Sequence, residues 1–244
     1  MPVLLLLLFS VALSIGMGII ILVIRRAQQK PNALAPRRPI RPVTNCSFER
    51  LCLFRRPACW LAIKSRNQTA VQTALGLHNA KPCSWVEGMA CDEKLFVSPP
   101  VKGWILVVGA ALPDPSDDVD ACFRFVQYLS RKLGKVQFFS VNRVLHYHSW
   151  IRVEGSKVVR AYAWAGKTLW NQGALSAPEK ELDLKCFDYC EAAEVAGFGQ
   201  PDVLALNVDK VPLLAARWSL DPARIEERFL EHDCGIVGEP SHRY

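Results

Sequence analysis

The first 24 residues, Met1–Ile24, carry no charged side chain, and the next 17, Arg25–Arg41, carry six positive and no negative ones. Within the apolar part, Leu4–Ile24 runs for 21 residues without a polar stripe. A helix rising about 1.5 Å per residue would span roughly 31 Å over that length, close to the hydrocarbon thickness of a bilayer. A cleaved signal peptide would have a basic start and small residues before the cleavage point. This chain starts Met-Pro-Val-Leu and is bulky through Ile19–Ile24. The reading is a single uncleaved transmembrane anchor. Arg25, Arg26, Lys30, Arg37, Arg38 and Arg41 follow it and no basic residue precedes it. The positive-inside bias then predicts an outer N-terminus and a cytoplasmic C-terminal domain. Ser10, Ser14 and Gly18 share one face of the anchor at spacing four, a pattern suited to a homodimer.

Charge is distributed unevenly. The span Arg25–Arg66 holds 11 of the 30 Lys and Arg against one acid, Glu49, whereas Asn67–Tyr244 carries 19 positive and 22 negative side chains. The basic character therefore suits anionic headgroups of the bilayer rather than nucleic acid. Beyond residue 66 no basic surface is expected. Nine cysteines form an odd set without repeat spacing, several of them inside apolar patterns, and read as packed thiols in a reducing compartment.

Pro31, Pro36, Pro39 and Pro42 interrupt the basic stretch, which reads as a semi-rigid spacer. Order begins with a strand over Cys59–Ser65. Asn67 caps a short helix that Gly76 ends, and two apolar runs follow, Lys94–Ser98 and Gly103–Gly109. The strongest helix signal spans Ser116 to Gly134. It has acids at its start, Arg131 and Lys132 in its last turn, and an apolar stripe through Val119, Cys122, Phe123, Val126, Leu129 and Leu133. Val136–Val141 returns as a strand. Tyr147–Val153 and Lys157–Trp164 flank Glu154-Gly155-Ser156 as a hairpin.

The order from Cys59 to Val141 is β-α-β-β-α-β, the split arrangement of ferredoxin-like folds, with the hairpin added. In the last third, Ser176 opens a helix carrying Leu182, Cys186, Tyr189 and Ala193, and Asp221-Pro222 opens another through Ile225 and Phe229. Val211–Trp218 fits either a strand or a buried helical turn, and Gly235–Tyr244 reads as frayed. The expected organisation is an anchor at 1–24, a basic Pro-rich linker at 25–57, an α+β sheet domain at 58–170 and a mainly helical region at 171–244 packed on the sheet.

Tryptophan marks the domain, with all seven between Trp60 and Trp218. Strand alternation puts Trp150 and Arg152 on one face of the hairpin's first strand, and Arg160, Tyr162 and Trp164 on one face of its second. If those faces coincide, indoles and guanidinium groups line a surface for stacking or anionic ligands, or else an aromatic layer under the C-terminal helices. Trp150, Arg152, Arg160 and Trp164 are thus candidate ligand-binding residues. Glu87, in the loop Cys83-Ser-Trp-Val-Glu-Gly88, is the carboxylate to inspect first. His146, His148, Cys186 and Cys190 lack the spacing of a structural zinc site, so no metal and no cofactor is expected. Nucleophile elbows, phosphate loops and His-Glu-x-x-His are absent from the sequence. The function expected is a non-enzymatic binding or interaction module for a protein or small ligand. The alternative is an enzyme with a dispersed thiol or hydrolytic site built from Glu87, His146, His148 and a cysteine.

Overall fold

Two stretches that are apolar at every position, Trp60–Ile63 and Ile105–Val108, set the middle of the fold. Such runs suit strands covered on both faces. The computed structural model, which describes residues 57–90, 94–189, 205–225 and 234–241, places them side by side in one antiparallel sheet. In chain order its elements are β1 (Cys59–Ile63), α1 (Gln68–Ala74), β2 (Leu77–Cys83), α2 (Trp85–Met89), β3 (Leu95–Val97), β4 (Ile105–Val108), α3 (Val119–Leu133), β5 (Lys135–Asn142), β6 (Tyr147–Glu154), β7 (Lys157–Trp164), β8 (Thr168–Gln172), α4 (Ala177–Glu181), α5 (Ala205–Trp218) and β9 (Gly235–Pro240). The strands lie in the order β2-β9-β3-β4-β1-β5-β6-β7-β8.

Alternation along each strand divides the core in two. One face carries Trp60, Ala62, Phe96, Leu106, Phe139, Trp150, Tyr162 and Trp164 beneath Val208, Val211, Leu214 and Ala215 of α5. The other carries Leu61, Ile63, Ile105, Val107, Phe138 and Ile151 beneath α1 and α3. Helix α3 buries Cys122, Phe125, Val126 and Leu129, the i, i+3, i+4, i+7 set of one stripe. Asn67 caps α1 by accepting from the Ala70 amide. Gly155 and Ser156 both take positive φ, 53° and 72°, as a two-residue turn matched to strand twist requires.

The expected ferredoxin-like domain with an added hairpin is therefore wrong: the described residues form one nine-stranded antiparallel sheet. Three strands escaped the sequence pattern. Only the end residues of β2, Leu77 and Cys83, are buried, Pro82 sits within it, and its register against β9 shifts between His78 and Lys81. An edge strand tolerates this polarity and irregularity, and both discourage further pairing. Residues 235–240, expected to fray, lie between β2 and β3 despite two glycines and a proline. Strand β8 is short and forms the opposite edge.

The helical expectations changed too. Asp118, not Ser116, caps α3 by accepting from the Ala121 amide, while Ser116 bonds to the Asp114 carboxylate. The helix from Ser176 stops after Glu181, and Leu182, Cys186 and Tyr189 follow in irregular chain, with Asp183 at φ 49°. Asp221 starts only a 3₁₀ turn, Pro222–Arg224. The ambiguous run around Val211 is helical within α5, which accommodates Pro212 in its interior.

The expectation of a single-pass membrane protein with a cytoplasmic domain is also withdrawn. Among the described residues no helix is long and apolar enough to cross a membrane. The supposed anchor, its Ser10, Ser14 and Gly18 face and the basic linker to residue 56 lie outside the described residues.

Candidate functional site

The hairpin faces do coincide. Trp150 is the cross-strand partner of Tyr162, and Arg152 that of Arg160. Ring centroids of Trp150 and Tyr162 stand 4.9 Å apart, His148 stacks on Trp150 at 5.7 Å, and Trp164 meets Phe187 at 5.8 Å. This surface is roofed by α4, α5 and the chain from Leu182 to Phe187, so Trp150, Arg160 and Trp164 are all buried. Arg152, half-buried, donates to Glu154.

A buried guanidinium needs a counter-charge and partners for its N–H groups. Arg160 receives both. Its Nε donates to Glu179 Oε1 at 2.7 Å, and its other nitrogens reach the Ala161 carbonyl, Asn171 Oδ1 and Cys186 Sγ. Trp150 Nε1 donates to the same Glu179 oxygen at 2.7 Å. Glu179 Oε2 accepts from the Ser176 amide and hydroxyl, closing the capping box of α4. With its polar groups engaged within the protein, this cluster is a structural joint. The sequence marked Ser176 as a helix start but held no sign that Glu179, three residues on, meets Arg160.

The histidines and thiols are occupied separately. His148 Nδ1 donates to the His146 carbonyl, which leaves Nε2 to accept from Asn207 Nδ2 at 3.3 Å. Asn207 also brackets Lys185, accepting from its amide and donating to its carbonyl. Burial pushes the Cys186 thiol up to about 12, with Arg160 opposing that shift and Glu179 adding to it. Cys190 lies outside the described residues. Among the described residues, no three His, Cys, Asp or Glu side chains gather as a metal-ligand set.

Glu87 is remote from all of this. It is the N3 residue of α2, accepts from the Ser84 amide and hydroxyl at 3.0 Å each, and is held below the usual carboxylate range by those bonds. Helix α2 lies over β3 and β9, while His148 is on β6. Four strand spacings separate β3 from β6, about 19 Å at roughly 4.8 Å each. Glu87 and His148 do not share a cleft, which removes the geometric basis for the dispersed enzyme site built on them.

An open groove lies elsewhere, on the face covered by α1 and α3. Ala121, Arg124, Phe125 and Tyr128 line it from α3 at helical spacing, opposite Ala74, Gly76 and Ser241. Its volume is about 580 Å³, within the range of small-ligand sites. The floor, Ala74 and Phe125, is buried and apolar. Arg124 and Tyr128 stand exposed at the rim, and Lys132 Nζ lies 4.7 Å from the Tyr128 ring centroid. Ser241 donates its hydroxyl to the Gly76 carbonyl and its amide to the same oxygen. Sequence reading missed this site. Arg124 and Tyr128 look like the ordinary polar face of α3, and the wall at Ser241 arrives through β9.

No family model matches the chain, and neither a curated protein nor a solved structure matches it.

Proposed function

We propose that the domain is a non-enzymatic binding module whose ligand occupies the groove between α1 and α3. The lining carries the reading. It offers an apolar floor, an aromatic wall and one cation, but among the described residues no Cys, His, Asp or Glu that could act as nucleophile or general base. The Ser241 hydroxyl is engaged by Gly76. Arg124 has no carboxylate partner among the described residues, so an anionic group at the rim would meet an available guanidinium. The ligand class is a small molecule, or a side chain of a partner, with an apolar body and one carboxylate.

A thermal-unfolding screen of the full chain tests this with aromatic and aliphatic carboxylates, each beside its primary amide. A ligand at about 100 times its Kd stabilises by about 2.7 kcal/mol, enough to raise Tm by several degrees. The carboxylates should raise Tm and the amides should do so far less. Arg124→Ala should abolish the difference while leaving the unliganded Tm unchanged, since Arg124 is exposed. Equal responses from acids and amides, or an effect that survives Arg124→Ala, would remove the groove from the function.

A further inference from the structure

The sequence divides its charge so that Lys64 and Arg66 belong to the basic N-terminal span, yet the fold carries both into the sheet domain. Lys64 follows β1 directly, and its amide donates to the Lys135 carbonyl at the start of β5. Beside them, Val101 and Trp104 exchange backbone hydrogen bonds across a tight turn whose central residues, Lys102 and Gly103, have φ 50° and 79°. Strand register brings these residues to one end of the sheet. Ile63 pairs with both Ile105 and Val136, and Lys135 pairs with Glu154.

Three features of this sheet end point to an anion. First, Lys64 Nζ lies 4.9 Å and Lys135 Nζ 6.0 Å from the ring centroid of Trp104, so two ammonium groups share one indole. Gathering like charges on neighbouring strands opposes folding. Second, the carboxylate present does not reach all of them. Glu154 pairs with Lys135 at 2.9 Å and Arg152 at 2.7 Å, while Lys64 and Arg66 have no carboxylate partner among the described residues. Third, the two cations without a carboxylate partner converge on one glycine. A methyl group placed on Gly103 would stand 3.4 Å from Lys64 Nζ and 4.0 Å from Arg66 Nε. Both cations therefore border the bare backbone of Gly103, whose amide has no backbone acceptor among the described residues.

We infer that Lys64, Arg66 and Gly103 form a subsite for a phosphate group. The ammonium supplies a point charge, the guanidinium a planar donor pair, and the Gly103 amide a further donor. The subsite is independent of the groove between α1 and α3, since it shares no residue with it. Phosphate could arrive free, as a soluble ester, or on a lipid headgroup.

The test follows the Gly103 amide and the Trp104 indole by ¹H–¹⁵N NMR of the full chain. One arm titrates inorganic phosphate against chloride at matched ionic strength. The second adds phosphatidylcholine vesicles with or without phosphatidic acid. Saturable shifts with inorganic phosphate, weakened about tenfold or more in Lys64→Ala/Arg66→Ala, would support a soluble source. A response confined to phosphatidic-acid vesicles and lost in the same variant would support a headgroup. Both side chains are exposed, so the variant should keep its fold, and Lys64→Gln/Arg66→Gln offers a second version that removes the charges while keeping side-chain bulk. Absence of response in both arms, or shifts that survive the double substitution, would overturn the assignment.

Discussion

Arg160 Nε and Glu179 Oε1 are 2.7 Å apart, with side-chain exposures of only 2% and 0%. The pair joins β7 to α4. The same carboxylate caps that helix through Ser176 and accepts from Trp150, so one side chain serves the helix end, the sheet and the buried charge. Removing one member of a buried pair leaves the other uncompensated.

Glu179→Met should therefore lower unfolding stability by about 3–5 kcal/mol, read as a fall in the urea midpoint. Arg160→Met/Glu179→Met should recover part of that loss, because no lone charge remains. Recovery stays incomplete, since Trp150 Nε1 and the Ser176 amide lose their acceptor. A double variant no more stable than Glu179→Met would show that the charge is not what the carboxylate balances.

Phe96 is wedged between two glycines from distant parts of the chain. A methyl group on Gly88 would fall 2.1 Å from Phe96 Cδ2, and one on Gly235 would fall 2.0 Å from Phe96 Cε2. Gly88→Ala and Gly235→Ala should each cost about 1–3 kcal/mol by overpacking. Phe96→Leu combined with either should be less damaging than the sum of the two single changes. A double-mutant cycle by denaturation reads that coupling, and strict additivity would place the clash elsewhere.

The Tyr162 phenol gives an alkaline signature. Burial pushes it from 10.0 up to about 12, partly opposed by the Phe187 amide that donates to it. The folded state thus disfavours the phenolate. Its contribution to stability is intact below about pH 10 and is lost as pH rises from there through about 12. Unfolding midpoints should fall over that interval, and Tyr162→Phe should flatten part of the fall. An unchanged slope in the variant would assign the transition to other groups.

Thiol reactivity should divide by burial. Cys59 and Cys122 are raised chiefly by burial, as is Cys186, so little thiolate forms near neutral pH. Cys234 is exposed. Brief iodoacetamide treatment of native protein, followed by peptide mass spectrometry, should label Cys234 well ahead of those three. Early labelling of Cys186 would show that the roof over Arg160 opens readily.

How much of this was legible depended on whether a residue's partner was local. Asn67 and Gly155 signal their roles within a few positions and take them in the structure, while the stripe of α3 is buried at Cys122, Val126 and Leu129 with Phe125 in place of Phe123. Strand β2 carries no alternation because it is an exposed edge, and β9 contains residues that strands usually avoid. The segment after Glu181 has a helical stripe but is fixed by distant groups, among them Tyr162, Thr168 and Asn207. Whether Arg160 lines a ligand surface or lies under the C-terminal helices stayed open, because nothing within its own hairpin reveals Glu179. The groove and the cluster of Lys64, Arg66 and Gly103 are each assembled from separated segments, which no local pattern reports.

Strand β9 has a consequence for how the chain is made. It supplies the pairing that links β2 to β3, more than 130 residues before it in the sequence. A ribosome releasing the polypeptide from its amino end would present β2 with no neighbour until residues 235–240 have emerged. One margin of the sheet thus stays unfinished until that segment arrives, and a chain halted short of residue 235 would emerge with that margin bare.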